Sequence, residues 1–204
     1  QQDSVLERQK RINALNQEAW SIVRENAERA IELSQEAKTL STQDPFSQQK
    51  PYTIGLSSAL STLGRGYYYI ANYEKALSTS LEAITLLEHS EHNAFLSRAY
   101  ATTGSVYNLL GNISGAIDYY LKQLEIAEKI NDREEQAIGL LGLGILYTEL
   151  EEFPKSLEYQ KNSLALFQEL KKPYWIVLLL NNLSDTYMRS GQPETALEYA
   201  LESL

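Results

Sequence analysis

Apolar positions along the chain recur with a helical period, and the helical stripes themselves recur. Leu60, Leu63 and Tyr67 place apolar groups on one face, Ala71-Asn72-Tyr73 interrupts the period, and Ala76, Leu77, Leu81 and Ile84 begin a second stripe. This succession of stripe, break and stripe returns every 40 residues, marked by Tyr67, Tyr107, Tyr147 and Tyr187. Three residues before each tyrosine stand Gly64, Gly104, Gly144 and Ser184. Nine residues after it stand Ala76, Ala116, Ser156 and Ala196, each followed by Leu or Ile. Self-similarity at a fixed period marks a repeat architecture, in which one unit cannot bury both apolar faces and must stack on the next.

Each unit reads as two helices joined by a short turn. The breaks at Gly111-Asn112-Ile113, Glu151-Glu152-Phe153-Pro154 and Gly191-Gln192-Pro193 carry the expected signals. Gly111 and Gly191 suit a left-handed helix stop, and Pro154 and Pro193 suit the first turn of the next helix. Asn131-Asp132 and Lys172-Pro173 separate successive units. Ten helices are predicted, over 4–25, 27–41, 52–70, 73–89, 93–110, 113–130, 133–150, 153–170, 173–190 and 193–204. The first unit (4–41) is degenerate, since only Ala27-Glu28-Arg29-Ala30-Ile31 matches the later ones. Units 52–89, 93–130 and 133–170 are full, and 173–204 is truncated. From Ala30 to Ala76 is 46 residues, six more than the repeat, and the excess falls in a loop-like stretch at 42–51. No strand pattern is present. The predicted fold is all-α, a right-handed α-α superhelix forming a single solenoid over 1–204.

The matches Leu60-x2-Leu63-Gly64-x2-Tyr67, Tyr100-x2-Thr103-Gly104-x2-Tyr107 and Leu140-x2-Leu143-Gly144-x2-Tyr147 resemble the signature of the tetratricopeptide repeat (TPR). Ala116-x3-Tyr120 keeps that family's aromatic after the alanine, whereas Ser80, Gln160 and Ala200 depart from it, and the terminal proline is absent. The long unit, with Ala116-Ile117-Asp118-Tyr119-Tyr120-Leu121 and Asn131-Asp132-Arg133, is similar to the repeats of Pins-type scaffolds and kinesin light chains. The opening Ala14-Leu15-Asn16-Gln17-Glu18-Ala19-Trp20 resembles the sensory repeats preceding cyclase or histidine-kinase domains in bacteria. The resemblance implies a non-catalytic module that binds protein or peptide on the concave side, lined by the first helix of each unit.

Composition narrows the functional classes. The 204 residues hold 18 basic and 27 acidic side chains, a net charge of −9, which argues against nucleic-acid or anionic-membrane surfaces. With no cysteine and two histidines, thiolate zinc sites and cysteine nucleophiles are excluded and histidine chemistry has little to work with. His89 and His92, with Glu88, lack further metal donors and read as a polar loop. Gly139, Gly142 and Gly144 mimic a nucleotide fingerprint, but no strand precedes them, so helix packing explains them better. No catalytic set and no cofactor are expected. Ten acids against four bases between 118 and 158 read as a solvated face, with docking of a basic partner segment as the alternative.

With Leu63, Gly64 and Tyr67 turned to the partner helix, a neighbouring stripe faces the groove. It comprises Ser58, Ser61, Arg65 and Tyr68, then Arg98, Ala101, Ser105 and Asn108, then Ile138, Leu141, Ile145 and Thr148, then Leu178, Asn181, Asp185 and Met188. Ser61, Arg65, Tyr68, Arg98, Ser105, Asn108, Leu141, Ile145, Asn181 and Asp185 are the candidate peptide-binding residues. Arg65 and Arg98 would meet carboxylates, Tyr68 would stack, and Leu141 and Ile145 would seat an apolar anchor. The expected role is the sensing or docking region of a larger cytoplasmic signalling protein, such as a cyclase or histidine kinase. The alternative is a structural spacer or oligomerisation scaffold with no groove ligand. Residue 1 is glutamine and the last helix is short yet presents Leu197, Leu201 and Leu204. Continuation beyond Leu204 and self-association through that end are therefore expected.

Overall fold

The computed structural model describes residues 2–43, 51–88 and 90–204. Among these residues the chain forms ten helices: α1 (Gln2–Ile22), α2 (Ala27–Thr42), α3 (Thr53–Tyr69), α4 (Tyr73–Leu87), α5 (Asn93–Leu109), α6 (Ile113–Lys129), α7 (Arg133–Glu149), α8 (Phe153–Glu169), α9 (Pro173–Arg189) and α10 (Pro193–Glu202). The predicted helices are present, with ends moved by up to three residues. The largest shift is at α1, which stops at Ile22 because Asn26 caps α2, its side-chain oxygen accepting from Arg29 N at 3.1 Å. Most of the expected 42–51 loop, residues 44–50, lies outside the described residues, as does His89.

Among the described residues, one turn geometry is used six times. Ala71, Gly111, Glu151 and Gly191 inside the units, and Asn131 and Lys171 between them, all have φ between 54° and 79°. The recurring tyrosine closes each internal turn with its carbonyl: Tyr67, Tyr107, Tyr147 and Tyr187 each accept the backbone N–H five residues on, at 2.9 Å. Asn72, Asn112 and Asp132 then cap the following helices by accepting from Lys75 N, Gly115 N and Glu135 N. Pro154, Pro173 and Pro193 start α8, α9 and α10 instead. Glycine is thus used at only two of six left-handed positions.

The helices gather into two compact units, 1–106 and 107–204, the division falling within α5. In the first unit α1 packs on α2, α2 on α3, α3 on α4, and α1 on α3. In the second, α6, α7, α8, α9 and α10 pack each on the next, and α7 also touches α9. Hairpin stacks on hairpin, and the small residues allow it. A β-carbon on Gly144 would lie 2.6 Å from Gln160 Cγ and 3.5 Å from the Ser156 carbonyl oxygen. Ala76, Ala116, Ser156 and Ala196 are buried at these crossings, as the repeat register predicts.

A second tyrosine series, unread in the sequence, completes each hairpin of the second unit. Tyr147 stacks on Tyr159 at 5.5 Å between ring centroids, Tyr187 on Tyr199 at 5.3 Å, and Tyr107 tilts against Tyr119 at 5.4 Å. Lys155 Nζ sits 3.8 Å from the Tyr147 ring centroid. The core of this unit continues through Leu141, Phe167, Trp175, Leu179 and Leu183. The first unit has smaller clusters around Ile12, Ala37 and Ala59 and around Ala19, Val23, Ala30 and Leu33.

Candidate functional site

In the first unit, α1, α3 and α5 surround a cavity of about 380 Å³ lined by Asn13, Asn16, Gln17, Trp20, Ile54, Ser58, Phe95 and Arg98. Helical spacing places Asn13, Gln17 and Trp20 on one face of α1. The Arg98 guanidinium carbon lies 3.8 Å from the Trp20 ring centroid and 5.8 Å from that of Phe95. Arg65, only 7% exposed, reaches the same tryptophan from α3, 6.0 Å from its centroid, and its Nε donates to Thr102 Oγ1 at 3.1 Å. Two predicted groove arginines therefore lie against one indole ring. Cation–π contact of this kind holds a guanidinium in place while its edge remains able to donate hydrogen bonds. Asn16, 4% exposed, donates from Nδ2 to the Gly55 carbonyl at 2.8 Å, and its Oδ1 has no hydrogen-bond partner. Among the described residues, none that lines the cavity is acidic.

Other stripe residues fall in varied places. Ser61 is fully buried and bonded to the Ser58 carbonyl, so it belongs to the interior of α3 rather than to a surface. Tyr68 is half-buried and hydrogen-bonds Ser105, which brings those two candidates together. Burial raises the Tyr68 phenol above its usual pKa. Burial also pushes Tyr69 upward, but the positive charges of Arg65 and Arg24 outweigh it and leave that phenol below its usual value.

In the second unit, Leu141 packs into the core with Phe167 and Trp175, because the α7–α9 contact covers this part of the stripe. Ile145 and Asp185 line a pocket of about 130 Å³ with Thr148, Glu149, Gln160, Asn182, Thr186 and Arg189. Asn181 lies exposed to one side, its Oδ1 accepting from Ser203. Asn108 is half-buried near the end of α5.

Several residues at these sites escaped the sequence pattern. The degenerate first unit hid Trp20 and Asn16, although the amide-rich face ending in a tryptophan was a usable signal. Gln160 was visible as a departure from the aromatic position held by Tyr120. The acidic segment is also more structured than a solvated face. Glu135 is buried and accepts from Gln123 Nε2 at 2.9 Å, and Glu134 pairs with Lys172 at 2.8 Å. Gly139, Gly142 and Gly144 lie inside α7 as packing positions. Among the described residues no cluster of three metal-ligating side chains occurs, and no helix is long and apolar enough to cross a membrane.

Helix hairpins of this length, stacked with small residues at their crossings, define a helical repeat protein. The tetratricopeptide repeat profile matches residues 95–169 and 135–204, and the chain belongs to that family. No curated protein matches it significantly by sequence. Among solved structures, BtubC (BKLC) from P. vanneervenii superposes with a TM-score of 0.72 at 15% identity, covering 96% of this chain and 89% of that one. A Signal Transduction ATPase with Numerous Domains from Pyrococcus horikoshii, which carries a tetratricopeptide repeat sensor, gives 0.69 at 19% identity, covering 94% of this chain and 29% of that one. Aspartyl phosphate phosphatase F from Bacillus subtilis gives 0.66 at 14% identity, with 95% and 59% covered. At these identities the likeness establishes the fold, and the fold is that of a protein-interaction module.

Proposed function

We propose that the chain docks a protein or peptide segment on the groove faces of its first helices, as the sensing or docking region of a larger cytoplasmic signalling protein. The observation that carries this reading is the first-unit cavity, where Arg98 lies over Trp20 beside apolar Ile54 and Phe95. Such a cavity suits an apolar side chain next to a carboxylate, since the guanidinium supplies paired donors and the rings supply a dry wall. Of the other stripe candidates, Arg65 and the Tyr68–Ser105 pair extend this surface within the first unit. Ile145, Asn181 and Asp185 serve the second, and Asn108 is assigned to the groove by register alone.

Panning a displayed peptide library against the full chain tests the proposal. Selected peptides should carry an acidic residue beside an apolar one, and Arg98→Ala should weaken them about tenfold or more by fluorescence anisotropy. Peptides that bind the parent and the variant equally would remove the cavity from the function. A second reading, self-association, draws on the exposure of Leu197, Leu201 and Leu204 along and after α10.

A further inference from the structure

Two equivalent helix junctions of the second unit are packed by different chemistry. Between α6 and α7, the Tyr120 ring lies against Gly142, where an added β-carbon would fall 2.4 Å from the ring. Forty residues later, between α8 and α9, the same two positions hold Gln160 and Asn182. The shorter amide does not fill the space of an aromatic ring, and the 130 Å³ pocket lies there.

The hydrogen bonds of that pocket leave a specific vacancy in capacity. Gln160, 1% exposed, donates from Nε2 to Thr148, Ser156 and Thr186 hydroxyl oxygens at 3.1, 2.8 and 2.8 Å. Ser156 donates to the Gly144 carbonyl at 2.8 Å, and Thr186 to the Asn182 carbonyl at 2.9 Å. Thr148 donates to the Gly144 carbonyl at 3.1 Å and also lies 2.6 Å from the Ser156 hydroxyl and 2.9 Å from that of Thr186. The hydroxyls of the floor are thus bonded to one another and to carbonyls, while Gln160 Oε1, a buried acceptor, has no partner. A buried amide oxygen in this state gains from any donor that reaches it. Asn182 Nδ2 is also unpartnered, so its amide can turn to present oxygen without breaking a bond. At the rim stand the carboxylates of Glu149 and Asp185, both exposed, with Arg189 only 3.9 Å from Asp185.

We propose that this pocket takes the primary ammonium of a lysine side chain on the docked partner segment. Three N–H donors on a slender stem match a buried acceptor at the bottom and two carboxylates at the mouth. The second unit holds 8 basic and 15 acidic residues, a net charge of −7, which favours the approach of a basic segment. This assignment rests on the peptide-docking function and adds one residue of specificity to it.

The probe is n-butylammonium chloride, titrated into the ¹⁵N-labelled full chain, with tetramethylammonium chloride as a cation lacking N–H donors. Butylammonium should shift the side-chain amide signals of Gln160 and Asn182 saturably in the millimolar range, and tetramethylammonium should not. Glu149→Gln with Asp185→Asn should weaken the effect about tenfold. Gln160→Tyr with Asn182→Gly imports the neighbouring junction's own packing, so it should keep helicity and melting temperature while abolishing saturation, read at the Thr148 and Thr186 amides. Equal shifts from both cations would reduce the effect to general electrostatics and overturn the proposal. Water cross-peaks at Gln160 with no response to butylammonium would assign the pocket to a bound water only. If panned peptides bind while butylammonium moves nothing, the lysine pocket falls and the docking function stands. If neither binds, both fall.

Discussion

The two compact units solve the same stacking problem with different electrostatics. In residues 1–106 there are 10 basic and 12 acidic side chains, net −2, and two arginines are drawn inward onto Trp20. In residues 107–204 the net charge is −7, Lys122, Lys155 and Lys161 lie over tyrosine rings on the outside, and the buried polar groups are amides, hydroxyls and the Glu135 carboxylate. A guanidinium is tolerated near the interior because an aromatic face and Thr102 receive it. Gln160 is tolerated because three hydroxyls receive its N–H groups. One repeat register therefore supports two distinct groove chemistries, and specificity resides in the positions that the repeat does not fix.

The contrast can be broken most severely at Trp20. Trp20→Ala removes the ring shared by both arginines, and the first unit should lose about 3 kcal/mol, measured by denaturant unfolding. A loss below a few tenths would show that the cations do not depend on the indole. Next comes the small-residue crossing, where both units should behave alike. Ala116→Trp overpacks the contact between the two helices of its repeat and should lower stability by roughly 1–3 kcal/mol, and the equivalent Ala30→Trp in the first unit should do the same. An unchanged melting temperature in either would contradict the shared register.

The turns sharpen the comparison at smaller scale. Ala71→Gly relieves a left-handed alanine and should stabilise by up to about 1 kcal/mol, while Gly111→Ala should destabilise by a similar amount. Opposite shifts in thermal melting are the expected result. Tyrosine titration reports on the buried arginines of the first unit. Tyr69, held below its usual value by Arg65 and Arg24 against the effect of burial, should ionise before Tyr68, whose burial raises it. For Tyr68 the neutral form is favoured on folding, so its contribution is present below the unfolded tyrosine pKa and is lost as pH rises through the raised folded one. For Tyr69 the sign reverses, with stability gained as pH climbs through its lowered folded value. Absorbance at alkaline pH should show an early step that Tyr69→Phe removes. The smallest effect is expected in α10, where Leu201→Glu with Leu204→Lys should reduce self-association in light scattering across a concentration series without changing helicity. Equal apparent masses for parent and variant would exclude that contact.

Much of this protein is written in local sequence. The 40-residue recurrence of Tyr67, Tyr107, Tyr147 and Tyr187 determined the hairpins, because that residue's carbonyl closes the turn and the small residues around it set the helix crossing. The caps at Asn72, Asn112 and Asp132 and the prolines of α8, α9 and α10 were legible for the same reason: their effect extends over one helical turn. The groove residues were legible only as a stripe. Register placed Ser61, Arg65 and Leu141 on one face, yet Ser61 and Leu141 are interior and Arg65 nearly so, since neighbouring helices cover part of that face. That Arg65 and Arg98 both meet Trp20, and that Gln160 leaves an acceptor unpaired, depends in each case on side chains brought together from three different helices. Helical periodicity specifies direction within one helix, whereas burial and hydrogen-bond pairing are decided by the distances between helices, and those exist only once the hairpins are stacked.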